Sequence, residues 1–159
     1  MLRIAIFPGS FDPITRGHEN IVKRALPLFD KIIIAIGNNQ DKKNHFSVEE
    51  RIGFIEKVFA DYPLVSIDTY QGLTVNYCRE VGAQYILRGL RTSADFEFER
   101  SIAQVNKKMY PAIETVFMLT LPEYTAINSS VVRDILRHGG DPSLFIPDGL
   151  SLTRQPGLS

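Results

Sequence analysis

Residues 32–36 read Ile-Ile-Ile-Ala-Ile, and this run restricts the possible folds more than any other feature of the chain. A strand with one face in water alternates apolar and polar side chains. An unbroken apolar, β-branched run has to be covered on both faces. The run therefore predicts a central strand of a sheet packed between two layers. Four more short apolar runs, at 2–7, 64–67, 85–87 and 115–119, supply further strands.

Helical patterns lie between the strands. Ile21, Val22, Ala25, Leu26 and Phe29 form an apolar stripe at i, i+1, i+4, i+5 and i+8, with Pro27 set to kink or fray the last turn. Ser47-Val48-Glu49-Glu50 has capping-box spacing and leads into Ile52, Ile55 and Phe59. Thr92 or Ser93 can cap a longer helix carrying Phe96, Ile102, Val105 and Met109, and residues 128–138 form a last one around Val131, Val132, Ile135 and Leu136. Alternation of this kind predicts the α/β class: a Rossmann-like parallel five-stranded sheet with helices on both faces. Phe96, Phe98 and the 32–36 run read as core or interface. Residues 1–147 are expected to be a single domain. Residues 148–159 carry Pro156, two glycines and no periodicity, and are expected to be a flexible tail.

Charge narrows the function. Lys plus Arg number 18 and Asp plus Glu number 18, a net charge of zero, whereas nucleic-acid binding draws on clustered excess cations. Cys78 is the single cysteine, which excludes an internal disulfide and a cysteine-based zinc site and points to a reducing compartment. The longest apolar run is far below the ~20 residues of a membrane span. No nucleic acid, no membrane and a cytoplasmic location are the expectations.

In a sheet of this type ligands sit beyond the carboxyl ends of the strands, where strand order reverses. After the first strand comes Pro8-Gly9-Ser10-Phe11-Asp12-Pro13-Ile14-Thr15-Arg16-Gly17-His18. Gly9 and Gly17 could merely permit the turn, and His18 could be an ordinary first-turn residue. Their coincidence with the Ser10 hydroxyl at a predicted switch point favours an anion site at a helix N-terminus. Lys42 and Lys43 follow the second strand, where a solvated face is the plainer reading. Arg88-Gly89-Leu90-Arg91 follows the fourth, with Asp95 and Glu99 close behind. Guanidiniums there can fork onto phosphate oxygens or join a surface ion-pair cluster. After the fifth come Glu123, Tyr124, Thr125, Ala126, Ile127, Asn128, Ser129 and Ser130, whose polar side chains can be helix caps or a phosphate cradle.

Gly9-Ser10-Phe11-Asp12-Pro13 followed by Thr15-Arg16-Gly17-His18 resembles the signature of the nucleotidyltransferases with a T/H-x-G-H motif. With the later segments, in order over residues 2–147, the chain resembles the bacterial phosphopantetheine adenylyltransferases. That resemblance implies transfer of AMP from ATP to 4′-phosphopantetheine, giving dephospho-coenzyme A and pyrophosphate. The acceptor phosphate would attack the α-phosphate in line, with no covalent enzyme intermediate, so the missing nucleophile–base pair is consistent with it.

The resemblance also implies roles. His18 stabilises the transition state, with Lys42 and Arg91 as the other catalytic cations. Ser10, Lys42, Thr74 and Arg88 bind the acceptor. ATP is bound by Ser10, Phe11, His18, Arg88, Gly89, Leu90, Arg91, Glu99 and the stretch from Tyr124 through Ser130. Mg²⁺ accompanies ATP without an assigned protein ligand, and the assembly is a homohexamer. Four departures stand out: Ser10 where Thr is usual, Asn128 for the first of three serines, Asn44-His45 for Pro-Met, and the tail in place of a C-terminal helix. Two alternatives stay open, a sister nucleotidyltransferase with nicotinate mononucleotide or glycerol phosphate as acceptor, and a non-catalytic adenine-nucleotide sensor.

Overall fold

The computed structural model describes residues 1–39 and 41–152. In chain order the elements are β1 (Ile4–Gly9), α1 (Arg16–Ala25), β2 (Lys31–Gly37), α2 (Val48–Val58), β3 (Val65–Tyr70), α3 (Thr74–Val81), β4 (Tyr85–Leu90), α4 (Ser93–Met109), β5 (Glu114–Leu119) and α5 (Ser129–Arg137). All five strands are parallel, in the order β3-β2-β1-β4-β5. This is the Rossmann-like sheet expected, and its order reverses between β1 and β4, where a crevice must open.

The isoleucine run does in β2 what its composition demands. Ile32, Ile34, Ala35 and Ile36 are fully buried and Ile33 nearly so. Alternate residues feed two cores. Ile32, Ile34 and Ile36 pack with Ile21, Val22 and Ala25 of α1 and Phe54 and Ile55 of α2. Ile33 and Ala35 face Val75, Tyr77 and Cys78 of α3 and Ile113 at the end of the α4–β5 connection. The helix ends follow local chemistry too. Ser47 and Glu50 form the reciprocal capping box, Thr92 caps α4, and α1 gives way at Ala25 to a 3-10 turn holding Pro27.

Two features depart from what the pattern shows. Helix α3 has no side-chain cap and spans only eight residues, so it leaves little periodic trace; its signals are Val75 and Cys78 three apart and Gly82 in the left-handed cap position at φ 72°. The apolar stripe of α4 is not core. Phe96, Phe98, Ile102, Val105 and Met109 are all exposed, Phe98 by 68%, and Glu99 is the helix's one buried residue.

At the other end, residues 143–148 fold back on α1. The Arg16 guanidinium donates to the Ile146 and Ser143 carbonyls and to Asp148, and the Arg16 N–H donates to the Phe145 carbonyl. The expected tail begins within this segment: Leu150 and Leu152 pack against the larger core, and residues 153–159 lie outside the described residues.

Candidate active site

Beyond Gly9 the chain turns sharply. Phe11 takes φ 47°, a left-handed conformation costing a non-glycine residue about 1–3 kcal/mol, so its surroundings must over-determine it. A Cβ on Gly9 would stand 3.1 Å from the Phe11 ring, so a side chain there would press the ring aside by a few tenths of an ångström. The Asp12–Pro13 peptide is cis. The buried Asp12 carboxylate accepts the main-chain N–H groups of His45 at 2.8 Å and Phe46 at 2.9 Å.

Helix α1 then opens with a capping box in which the third helical residue is His18. The Thr15 hydroxyl accepts the His18 N–H, and His18 Nδ1 accepts the Thr15 N–H at 3.0 Å. A main-chain N–H can only donate, so Nδ1 must carry a lone pair and the proton of the neutral ring sits on Nε2. Burial, with smaller contributions from the Arg88 and Arg91 charges, lowers the His18 pKa from 6.5 to about 4. The imidazole is therefore a neutral Nε2–H donor at pH 7. The Phe11 ring meets it edge-on, 4.9 Å between centroids.

The cations are arranged around this loop. Lys42 Nζ donates to Ser10 Oγ at 3.0 Å across the crevice. Arg88, on β4, forks onto Glu99 of α4 through Nε at 2.9 Å and Nη2 at 2.6 Å, while Nη1 donates to the Pro8 carbonyl at 2.8 Å. Planar guanidinium and carboxylate match bidentately, and each terminal nitrogen keeps one N–H for a ligand oxygen. Arg91 is held by Asp95 through both its N–H and its side chain.

A cleft of about 760 Å³ opens at the carboxyl ends of β1, β2 and β3 and extends to α4. It takes in five of the residues to which the resemblance gives a binding role, Ser10, Lys42, Thr74, Arg88 and Glu99, and Gly9 and the α4 residues Phe98 and Ile102 line it as well. The Thr74 hydroxyl is hydrogen-bonded to the Tyr70 phenol at 2.8 Å in its wall. His18, Phe11, Gly89, Leu90, Arg91 and the 124–130 stretch do not line it. Phe11, Tyr124, Ile127 and Ser129 lie instead around the start of α1, where His18 stands. A Cβ on Gly17 would lie 3.9 Å from both Tyr124 Cβ and the Ile127 carbonyl, and Ser129 donates to the Pro13 carbonyl at 2.8 Å. Gly89 lets β4 approach α1, since a Cβ there would stand 3.3 Å from Ile21. Ala126 and Thr125 complete the turn into α5. The site residues thus divide between the cleft and a polar shelf beside the start of α1, to which His18 belongs.

Asn128 has a plain local task. Its side chain accepts the Val131 N–H at 2.9 Å and caps α5. Asn128→Ser should keep the cap, and Asn128→Ala should cost about 1 kcal/mol in urea unfolding.

Four residues matter to which the sequence assigned no individual role: Asp12 and Thr15, seen there only as members of the motif, and Arg51 and Arg133. Arg51 is buried, and burial pulls its pKa down against the opposing pull of Asp12 and Glu49. Arg133 donates to the Asp12 carbonyl at 2.9 Å and to the Ser130 hydroxyl at 3.0 Å. Only Thr15 left a local signal, its spacing of three from His18. Among the described residues no group of three or more His, Cys, Asp or Glu side chains could hold a metal ion.

A five-stranded sheet of this order, with cations and a capped histidine at its switch point, has the form of a nucleotidyltransferase. The cytidylyltransferase-like family model matches residues 6–135, and the chain belongs to that family. Within it, the chain is one of the phosphopantetheine adenylyltransferases. It is 56% identical to the phosphopantetheine adenylyltransferase of Flavobacterium johnsoniae over 96% of this chain and 100% of that one. It is 54% identical to that of Flavobacterium psychrophilum over 94% and 98%, and 48% identical to that of Phocaeicola vulgatus over 95% and 99%. Among solved structures, a bifunctional NMN adenylyltransferase/ADP ribose pyrophosphatase from Francisella tularensis superposes with a TM-score of 0.68. It is 19% identical and covers 98% of this chain and 46% of that one, a likeness of fold alone.

Proposed function

We propose that this protein transfers AMP from ATP to 4′-phosphopantetheine, releasing pyrophosphate and forming dephospho-coenzyme A. The observation that carries the reading is the pairing of Lys42 and Ser10 across the mouth of a deep cleft, with Arg88 beside them and the Nε2–H of a neutral His18 at the adjoining helix end. Such a site grips two anions and supplies donors where charge builds. It offers no activated nucleophile, and a phosphate acceptor, itself carrying about −1.5 to −2 charges, needs none.

The acceptor phosphate would lie between Lys42, Ser10 and Arg88, with its arm along the cleft past Thr74. ATP would occupy the shelf of Arg91 and residues 124–130. Attack of an acceptor oxygen on the α-phosphate breaks the bond to the departing pyrophosphate, and the Nε2–H of His18 donates to the oxygens of the α-phosphate as they gain charge. Mg²⁺ would travel with the triphosphate, because the carboxylate lining the cleft, Glu99, is already committed to Arg88, while the ion favours phosphate oxygens and water.

The exposed apolar face of α4 supports assembly into a homohexamer. A cytoplasmic setting fits the lone, buried Cys78. No helix among the described residues is long and apolar enough to cross a membrane.

The deciding experiment measures pyrophosphate release with ATP, Mg²⁺ and 4′-phosphopantetheine, against glycerol 3-phosphate and nicotinate mononucleotide. Release with phosphopantetheine alone is the expected result. Release with another acceptor only, or ATP binding without release, would overturn the reading.

A further inference from the structure

We infer that Arg51, although it lies outside the cleft, is a positioning residue for the transfer, holding the Lys42 segment in register with the β1–α1 loop. This rests on the function proposed above. The residue is 1% exposed, and among the described residues every hydrogen bond of its guanidinium goes to a main-chain carbonyl: Ser10 at 2.8 Å, Phe46 at 3.2 Å and Ser47 at 3.3 Å. Among the described residues no carboxylate pairs with it directly. A buried cation is costly to desolvate, and what it supplies here that an apolar side chain of similar volume would not is a donor for each of three carbonyls. Its distinctive property is reach: one planar fork holds both the segment just before its own helix and Ser10, which is 41 residues from Arg51.

Asp12 completes the tie from the opposite side. Its two carboxylate oxygens take the N–H groups of His45 and Phe46, so residues 10–12 and 45–47 are joined by donors and acceptors running both ways. Lys42 lies three residues before His45, and its ammonium bonds the Ser10 side chain, whose own carbonyl is in the grip of Arg51. The brace also orients a peptide. In a trans peptide the N–H points opposite to the C=O, so holding the Ser10 carbonyl toward the buried guanidinium turns the Phe11 N–H away from it, and the φ of 47° at Phe11 is kept in place by that bond. Donor placement in an in-line transfer has to be good to a fraction of an ångström, and a misplacement of 1 Å can cost about 100-fold in rate.

The test is Arg51→Lys, which keeps the charge and loses the fork, measured beside the parent protein. We expect kcat for pyrophosphate release to fall about 10- to 100-fold, with KM for ATP and for phosphopantetheine within about threefold of the parent. A loss of thermal stability alone, with kcat per folded molecule unchanged, would make Arg51 a structural residue and overturn the proposal. So would a rise in KM with kcat intact. Asp12→Asn, nearly isosteric and able to accept only one of the two N–H groups, is the second variant and should show the same split in smaller measure. If neither variant folds, the brace is a folding element and the proposal fails. An inactive parent protein would instead count against the function itself.

Discussion

Replacing His18 with Ala lowers the rate of pyrophosphate release by about 100- to 1,000-fold, the usual loss for removing one pre-aimed donor to transition-state charge, and leaves ATP affinity within a few-fold. The expectation follows from the capping box. Because Nδ1 is committed to the Thr15 N–H, the ring is held with Nε2–H facing outward, and no rotation or tautomer change is needed during the reaction. Removing an interaction made mainly in the transition state should depress kcat and kcat/KM together. Single-turnover rates and ATP titrations on the folded variant check this, and a fall in ATP affinity of equal size would show that His18 only binds.

The same residue shapes the pH response. With a pKa of 6.5 unfolded and about 4 folded, His18 is almost fully deprotonated in both states well above the unfolded value. Between those values the unfolded chain takes up a proton that the folded one refuses. Its contribution to stability is therefore present above pH 6.5 and is lost as pH falls toward 4. Melting temperature should drop over that interval in the parent protein and less steeply in His18→Gln. Between pH 7 and 9 the profile of kcat/KM, which reports the free enzyme, should show no ionisation belonging to His18.

The Arg88–Glu99 fork carries the second large effect. Arg88→Ala should lower kcat/KM for phosphopantetheine by about 100- to 1,000-fold, or roughly 3–4 kcal/mol. It removes a cation from the acceptor phosphate and also leaves Glu99, 9% exposed, as an unpaired carboxylate facing an incoming dianion. Breaking a buried pair from one side costs about 3–5 kcal/mol in stability at the upper end, whereas replacing both partners by apolar groups is often neutral. Arg88→Met combined with Glu99→Leu should thus recover most of the stability lost in Arg88→Ala and none of the activity. Urea unfolding and acceptor kinetics on the two proteins separate binding from folding; equal recovery of both would mean that Arg88 acts only through Glu99.

The parts of this protein that were legible in its sequence share a local cause. The isoleucine run announces a strand covered on both faces because its neighbours along the chain are all apolar. The Ser47–Glu50 box and the Thr92 cap are readable because capping spans only three residues. Switch-point geometry then places the Gly9–His18 loop at a ligand site before any contact is known. The faint parts are those in which partner and position are far apart. Asp12, Arg51 and Arg133 look like ordinary polar residues until their partners, 34, 41 and 121 positions away, are brought to them. Helix α3 is too short to show a period. The α4 stripe has a clear one, yet periodicity reports only that an apolar face exists, and the fold of one chain leaves it uncovered.

From its sequence alone, then, the chain determined its layers, its strand-and-helix order and the loop at which chemistry would sit, because periodicity, capping and turn residues act over a few neighbours. Tertiary structure decided which donors are already spent and which still face the cleft. Arg88 is half committed to Glu99 and Pro8, Asn128 is committed to a cap, and His18 is neutral with its proton on Nε2. Those outcomes depend on burial and on partners brought together from distant positions, and both come into being only when the sheet closes and the helices pack onto it.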